Sequence, residues 1–325
     1  PRAAFEDAIR AGGKGVEASL RAFAAGFDAA QAGGEAPVRA ERPAPRRIVG
    51  PSEKMGAWQA LVARAEALPE PVREMAQSGL AKVVDFQDCA YGALYLDRVE
   101  AMVRGDDPAR GYLRSATAAK YIANAMAYDD IIRVADLKTR PTRLAHIDAE
   151  MGARAENVVQ LTEYFHPRAE EIAGLMPAKL GARTMANPAR MARLNRWFGK
   201  GRRLRTDTLR AFVMLYVLGG LKGYRLRTLR HQEEVAHLEK WLADCLATED
   251  YDLSVELLKN RRLIKGYSDT HARGLSKFDR VMGAAALLKG RKDAAEWMAR
   301  LREAALRDPE GKELDGAIET VRSFV

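Results

Sequence analysis

Apolar residues return at every third or fourth position along most of this chain, the period of an α-helix with one buried face. Phe5, Ile9, Val16, Leu20, Phe23 and Phe27 form such a stripe between Phe5 and Ala30. Gly12, Gly13 and Gly15 interrupt it, each at about 1 kcal/mol in a helix interior, which predicts two helices with a joint. The same period predicts helices over Met55–Leu68, Val72–Tyr95, Leu113–Leu137, Ala169–Met176 and Pro188–Phe198. It continues over Leu209–Leu218, Thr228–Leu246, Tyr251–Arg262, Leu275–Leu288, Ala294–Leu306 and Leu314–Phe324. Tyr128-Asp129-Asp130 reads as the interior of the Ala-rich helix ending at Leu137, and Thr206 reads as the N-cap of the apolar helix after it.

One segment breaks the period. Asn157 to Phe165 is β-branched and aromatic, ends at His166-Pro167, and predicts a strand. A lone strand needs a partner, and Arg203 to Thr206 is the best candidate. The expectation is a mainly α fold, a multi-helix domain with at most a small two-stranded β ribbon. Gln31 to Glu53 is rich in Gly, Pro and charge and reads as a linker. The predicted division is therefore 1–30, a linker at 31–54, and a helical domain at 55–325.

Composition narrows the function classes. The 53 basic residues exceed the 44 acidic ones, a net charge of +9 that favours anionic partners without choosing among them. Two cysteines, Cys89 and Cys245, cannot frame a disulfide scaffold or hold an iron–sulfur cluster, which needs about four thiolates. The longest apolar run, Ala211 to Leu218, falls far short of the roughly 20 residues that cross a bilayer. No secretory leader is visible, so the expected setting is the cytoplasm without a membrane partner. The first residue is Pro1 rather than Met, which implies a chain beginning inside a longer gene product.

Candidate chemistry concentrates in one stretch. Residues 263–274 (Leu-Ile-Lys-Gly-Tyr-Ser-Asp-Thr-His-Ala-Arg-Gly) join two predicted helices. His271 and Asp269 there suit an acid–base pair, with Lys265 and Arg273 holding an anion beside Tyr267. The stretch suits better still a polar junction in which Asp269 caps the next helix and Tyr267 packs. Lys138 and Arg140, before Pro141, suit either an anion or the carbonyl end of the preceding helix. Glu163-x-x-His166 and Glu234-x-x-His237 match a di-iron spacing but lack the two further Glu that such a site needs, and the first lies on a predicted strand. Asp85, Asp88 and Asp97 read as a solvated or Arg-paired face, so no metal ligand and no catalytic residue is assigned. The basic clusters at 200–205, 222–227 and 259–262 carry few aromatics and read as surface or docking faces, with nucleic acid disfavoured.

Leu263 to Gly274 resembles a recurrent Ile-Lys-Gly-Tyr-Gly-Asp-Thr-x-x-Arg-Gly string in the C-terminal extension of the indolepyruvate ferredoxin oxidoreductase beta-subunit family. Val84-Asp85-Phe86-Gln87-Asp88 with Tyr91 and Tyr95 fits the same family, as do Tyr128 to Ala135 through Lys138-Thr139-Arg140-Pro141, and Arg205-Thr206. Ser268 stands where the string usually has glycine. Phe5 to Phe27 resembles the last helices of a pyruvate-oxidoreductase gamma-type domain.

The resemblance implies an accessory part of a 2-oxoacid ferredoxin oxidoreductase, docking subunits or covering an active site in the CoA-dependent oxidative decarboxylation of aryl pyruvates. Thiamine diphosphate and iron–sulfur clusters would lie on partner segments, with none bound by this chain and ferredoxin an indirect partner. Two alternatives stay open: a helical module binding an anionic ligand such as CoA, and a nucleic-acid-binding protein.

Overall fold

The computed structural model describes residues 2–12, 15–32, 50–153, 157, 159–165, 167–266, 268–308 and 310–324. Its contacts divide the chain into two units, Pro1–Pro51 and Ser52–Val325. Most of the predicted linker, and Tyr267 and His166, lie outside the described residues.

In the first unit α1 (Arg2–Ala11) and α2 (Val16–Gln31) pack together through Phe5 and Phe23, whose rings stack at 5.8 Å. Arg2 bonds both Glu6 and Asp28 at 2.7 Å, tying the helices at one end. Gly15 takes φ 62 at the joint, a backbone state that favours glycine. Neither helix buries a residue fully.

The second unit is mainly α, as the apolar period predicts. Its helices α3 (Ser52–Glu66), α4 (Glu70–Phe86), α5 (Cys89–Arg104) and α6 (Leu113–Met126) pack on one another. α3 thus begins within the stretch read as linker. Tyr95 is fully buried among them and its hydroxyl donates to the Ala119 carbonyl at 2.9 Å. Next come α7 (Ile131–Thr139), α8 (Pro141–Glu150), α9 (Ala169–Gly174), α10 (Ala178–Met185) and α11 (Pro188–Phe198). Strands β1 (Thr162–Phe165) and β2 (Arg202–Arg205) pair antiparallel, Thr162 opposite Arg205 and Phe165 opposite Arg202. α12 (Leu209–Gly220) lies on α7; α13 (Leu229–Leu246) and α14 (Tyr251–Lys259) lie on α6. The chain ends in α15 (Ser268–Gly283), α16 (Ala294–Arg307) and α17 (Lys312–Arg322).

Two predicted long helices are each broken, and for the same reason. Asp88 accepts the Tyr91 backbone N–H at 2.8 Å, and Asp130 accepts that of Arg133 at 2.6 Å. Each aspartate caps a new helix, so Val72–Tyr95 splits into α4 and α5, and Leu113–Leu137 into α6 and α7. At the second break the Met126 carbonyl that ends α6 accepts the Tyr91 hydroxyl at 3.1 Å.

Thr206 does not cap α12. That position is Thr208, whose hydroxyl donates instead to the Arg205 carbonyl at 2.7 Å. Thr206 extends the ribbon, its N–H donating to the Leu161 carbonyl at 3.0 Å, and its buried hydroxyl has no partner. The apolar period does not predict α8 or α10; α8 starts on Pro141, whose fixed φ suits the first helical turn, and α10 starts directly after Pro177.

Candidate functional site

The break between α6 and α7 is the floor on which the polar residues assemble. Asp130, already capping α7, also takes Nε of Arg225 at 2.8 Å. Arg225 is 1% exposed and donates further to the Phe86 carbonyl at 2.6 Å and to Gln87 Oε1 at 3.1 Å. Its guanidinium lies 4.0 Å from the centre of the Phe86 ring. One arginine therefore ties the α4–α5 break to the α6–α7 break.

Beside this pin runs a second buried network. Glu234 of α13 faces Arg230 at 2.6 Å and Arg261 at 3.4 Å. The Arg230 guanidinium, which only donates, lies 3.0 Å from Nε2 of His271. That nitrogen is therefore an acceptor and the imidazole neutral. Burial, with Arg230 and Arg261 close by, lowers the His271 pKa to about 3. Burial likewise holds the Arg261 guanidinium below its ordinary value, and its Nη1 is buried with no hydrogen-bond partner.

Arg261 and His271 border a cleft of about 470 Å³. Cations enter it from separate elements: Lys82 of α4, Lys120 of α6, Arg133 of α7, and Arg262 and Lys265 beyond α14. Arg133 is neutralised by Asp85 at 2.7 Å and Asp136 at 3.2 Å. Lys82 donates to Asn124 at 2.6 Å, and its pKa is lowered by the protein packed about it, although solvent still reaches the side chain. Among the described residues Lys82, Lys120, Arg262 and Lys265 have no carboxylate within ion-pair distance.

Among the described residues the single carboxylate lining the cleft is Asp129, and it makes no hydrogen bond there. Burial raises its pKa against the opposing pull of Lys82. Asp129 and His271 also line a second cavity of about 260 Å³ on the side of α9. Tyr121, Tyr128, Leu137 and Ile264 give the larger cleft an apolar wall.

The structure separates the candidates read from the sequence. Lys265 and His271 line the cation-rich cleft. Asp269 and Arg273 open instead onto a broad cleft of about 880 Å³ bordered by Tyr164 and α11. Asp269 pairs with Arg168 at 2.9 Å and sits in the first turn of α15, so it neither caps that helix nor partners His271. Ser268, at φ 55, holds a left-handed backbone that favours glycine, and its N–H donates to Glu171 at 3.1 Å. Lys138 pairs with Glu163 of β1, and Arg140 with Asp136 at 2.6 Å and Asp85 at 3.1 Å. Both are occupied by the protein's own carboxylates.

No sequence feature marks Lys82 or Lys120, each a single exposed polar residue on the outward side of a helical stripe. Asp129 reads from the sequence as the interior of one long helix, and the structure places it in the break between α6 and α7. For Arg262 the basic cluster at 259–262 gives a signal. Among the described residues no group of three or more His, Cys, Asp or Glu is placed to hold a metal ion. The arrangement offers charge and shape for an anion, without a nucleophile activated beside it.

No curated protein and no solved structure matches the chain. A family model does match, over residues 72–284, a span that runs from the first turn of α4 past α15 and takes in every residue of the cleft. The chain belongs to that family, DUF6537, a family of unknown function.

Proposed function

We propose that the Ser52–Val325 unit binds an anionic, phosphate-bearing ligand in the cation-rich cleft, as an accessory part of a 2-oxoacid ferredoxin oxidoreductase of the indolepyruvate type. The observation that carries the reading is the convergence of Lys82, Lys120, Arg262 and Lys265 on one cleft without paired carboxylates. Like charges held together repel by about 1 kcal/mol per close pair in water, and by more where protein excludes it. Such an arrangement is stabilised by an anion, and its volume suits a group larger than a single phosphate.

Support for the oxidoreductase context comes from the four resembling segments. They are scattered along the sequence, yet three of them meet here: Asp85 with Arg133 and Arg140, the Tyr128–Asp130 break, and Lys265 with His271. In that context the chain contributes binding and cover. Thiamine and cluster chemistry belongs to partner segments, and the acyl acceptor CoA is one phosphate-bearing candidate.

Titration calorimetry with inorganic pyrophosphate tests the binding. Lys120→Glu with Lys265→Glu, both at exposed positions, should weaken it at least about tenfold while the circular dichroism stays unchanged. Equal affinity in the double variant would overturn the reading. For the wider context, the full gene product with its partners should reduce a viologen dye with an aryl pyruvate, and the isolated chain should not. Turnover by the isolated chain would refute an accessory role.

A further inference from the structure

Residues 172–232 carry fourteen Lys and Arg against one acidic residue, Asp207. Of these, Arg205 pairs with Asp207, buried Arg225 with Asp130 and Arg230 with Glu234, and the rest leave the segment strongly basic. Within this segment α12 buries only Ala211 and Leu215. Its opposite side is apolar and open: Leu209 is 78% exposed, Tyr216 66% and Val217 61%, with Val213 also exposed. Leu209, Val213, Tyr216 and Gly220 follow one another at spacings of four, three and four, the spacing at which one helix meets another. A Cβ built on Gly220 would touch nothing, so a partner can approach the backbone there. Alongside, Met214, Leu218, Phe165, Phe198 and Leu204 line an apolar groove of about 280 Å³. Arg210 on α12 is exposed, as is Arg203, which lies 5.5 Å over the Tyr164 ring.

We propose that the outer face of α12 docks an acidic protein partner through an amphipathic helix with an apolar seam and Asp or Glu on its flanks. Charge selects the occupant. A second copy of this chain would bring Arg210 and its basic surroundings onto a surface of the same sign, and like-charge juxtaposition works against pairing. Nucleic acid would satisfy the cations but leave the apolar seam in water. A lipid surface is flat, whereas the seam is a ridge with a groove beside it, the relief that a helix fills. This docking surface stands whether or not the cleft holds an anion.

The test uses the full chain and a fluorescent synthetic helix of about three heptads, with a Leu/Val seam and Glu flanks. Anisotropy should show binding that weakens with added salt. The same seam flanked by Lys should bind at least about tenfold more weakly. Val213→Glu and Val217→Glu, at exposed positions, should each reduce affinity for the Glu-flanked helix at least about tenfold. Leu94→Glu, at an exposed position on α5, should leave it unchanged. Equal binding of both peptides, or no effect of the α12 variants, would overturn the proposal. So would α12-dependent binding of phosphatidylserine vesicles or single-stranded DNA without binding of the peptide, or α12-dependent dimerisation in sedimentation.

Discussion

Replacing Arg225 with Met removes a charge that is 1% exposed while keeping most of the side-chain volume. Asp130 then remains buried with only its helix-cap bond from Arg133. The Phe86 carbonyl and Gln87 Oε1 lose their donor as well. Breaking a buried ion pair from one side costs about 3–5 kcal/mol, chiefly because the stranded charge stays out of water. Lost acceptor bonds add to this, but not independently, so a cost of about 4 kcal/mol is the central expectation. That is a large share of the roughly 5–15 kcal/mol that holds a domain folded.

Asp130→Asn should cost less, since Asn caps a helix about as well as Asp and leaves no charge behind. In the double variant the two costs should fall short of their sum by about 2 kcal/mol. Urea unfolding followed by far-ultraviolet circular dichroism measures all three, provided the slope with denaturant is unchanged. An Arg225→Met cost below about 1 kcal/mol, or strict additivity, would refute the claim that this pair pins the two helix breaks.

Gly274→Ala should destabilise the Ser52–Val325 unit by about 1–3 kcal/mol, because the added Cβ would sit 2.6 Å from the Leu263 carbonyl oxygen; equilibrium unfolding with wild-type stability would show that α15 yields there at no cost. Thr206→Val should be neutral or stabilising by up to about 1 kcal/mol, since the buried hydroxyl has no partner to lose; a clear loss in melting temperature would reveal a hydrogen bond that the structure lacks. His271, lowered to about 3, and His237, lowered to about 4, are neutral in the folded chain at pH values where the unfolded chain, with histidines near 6.5, binds protons. Stability should therefore fall as pH drops from about 6.5 toward 4, and His271→Asn should flatten that slope; an identical urea-midpoint profile in the variant would refute the assignment.

The sequence carried the helical period because each helix buries one face, and burial acts at every third or fourth position. It carried the β ribbon because Asn157–Phe165 breaks that period with β-branched and aromatic residues before His166-Pro167, although among the described residues the strand forms only over Thr162–Phe165, paired with Arg202–Arg205. It also held a signal for the two helix breaks, an Asp before an apolar run at Asp88 and Asp130, but the uninterrupted apolar stripe on either side outweighed it. What decided between one helix and two was tertiary: Tyr91 reaching the Met126 carbonyl and Arg225 reaching Asp130 and Phe86 across the fold. The roles of the polar stretch were divided the same way. Within α15, Asp269 and Arg273 share one face and His271 the other, because a helix turns neighbouring side chains through about 100° per residue, and Lys265, just before that helix, joins His271 in its cleft. Lys82, Lys120 and Arg262 become a site only when α4, α6 and the turn after α14 pack together, since a charge's effect depends on distance in space and not along the chain.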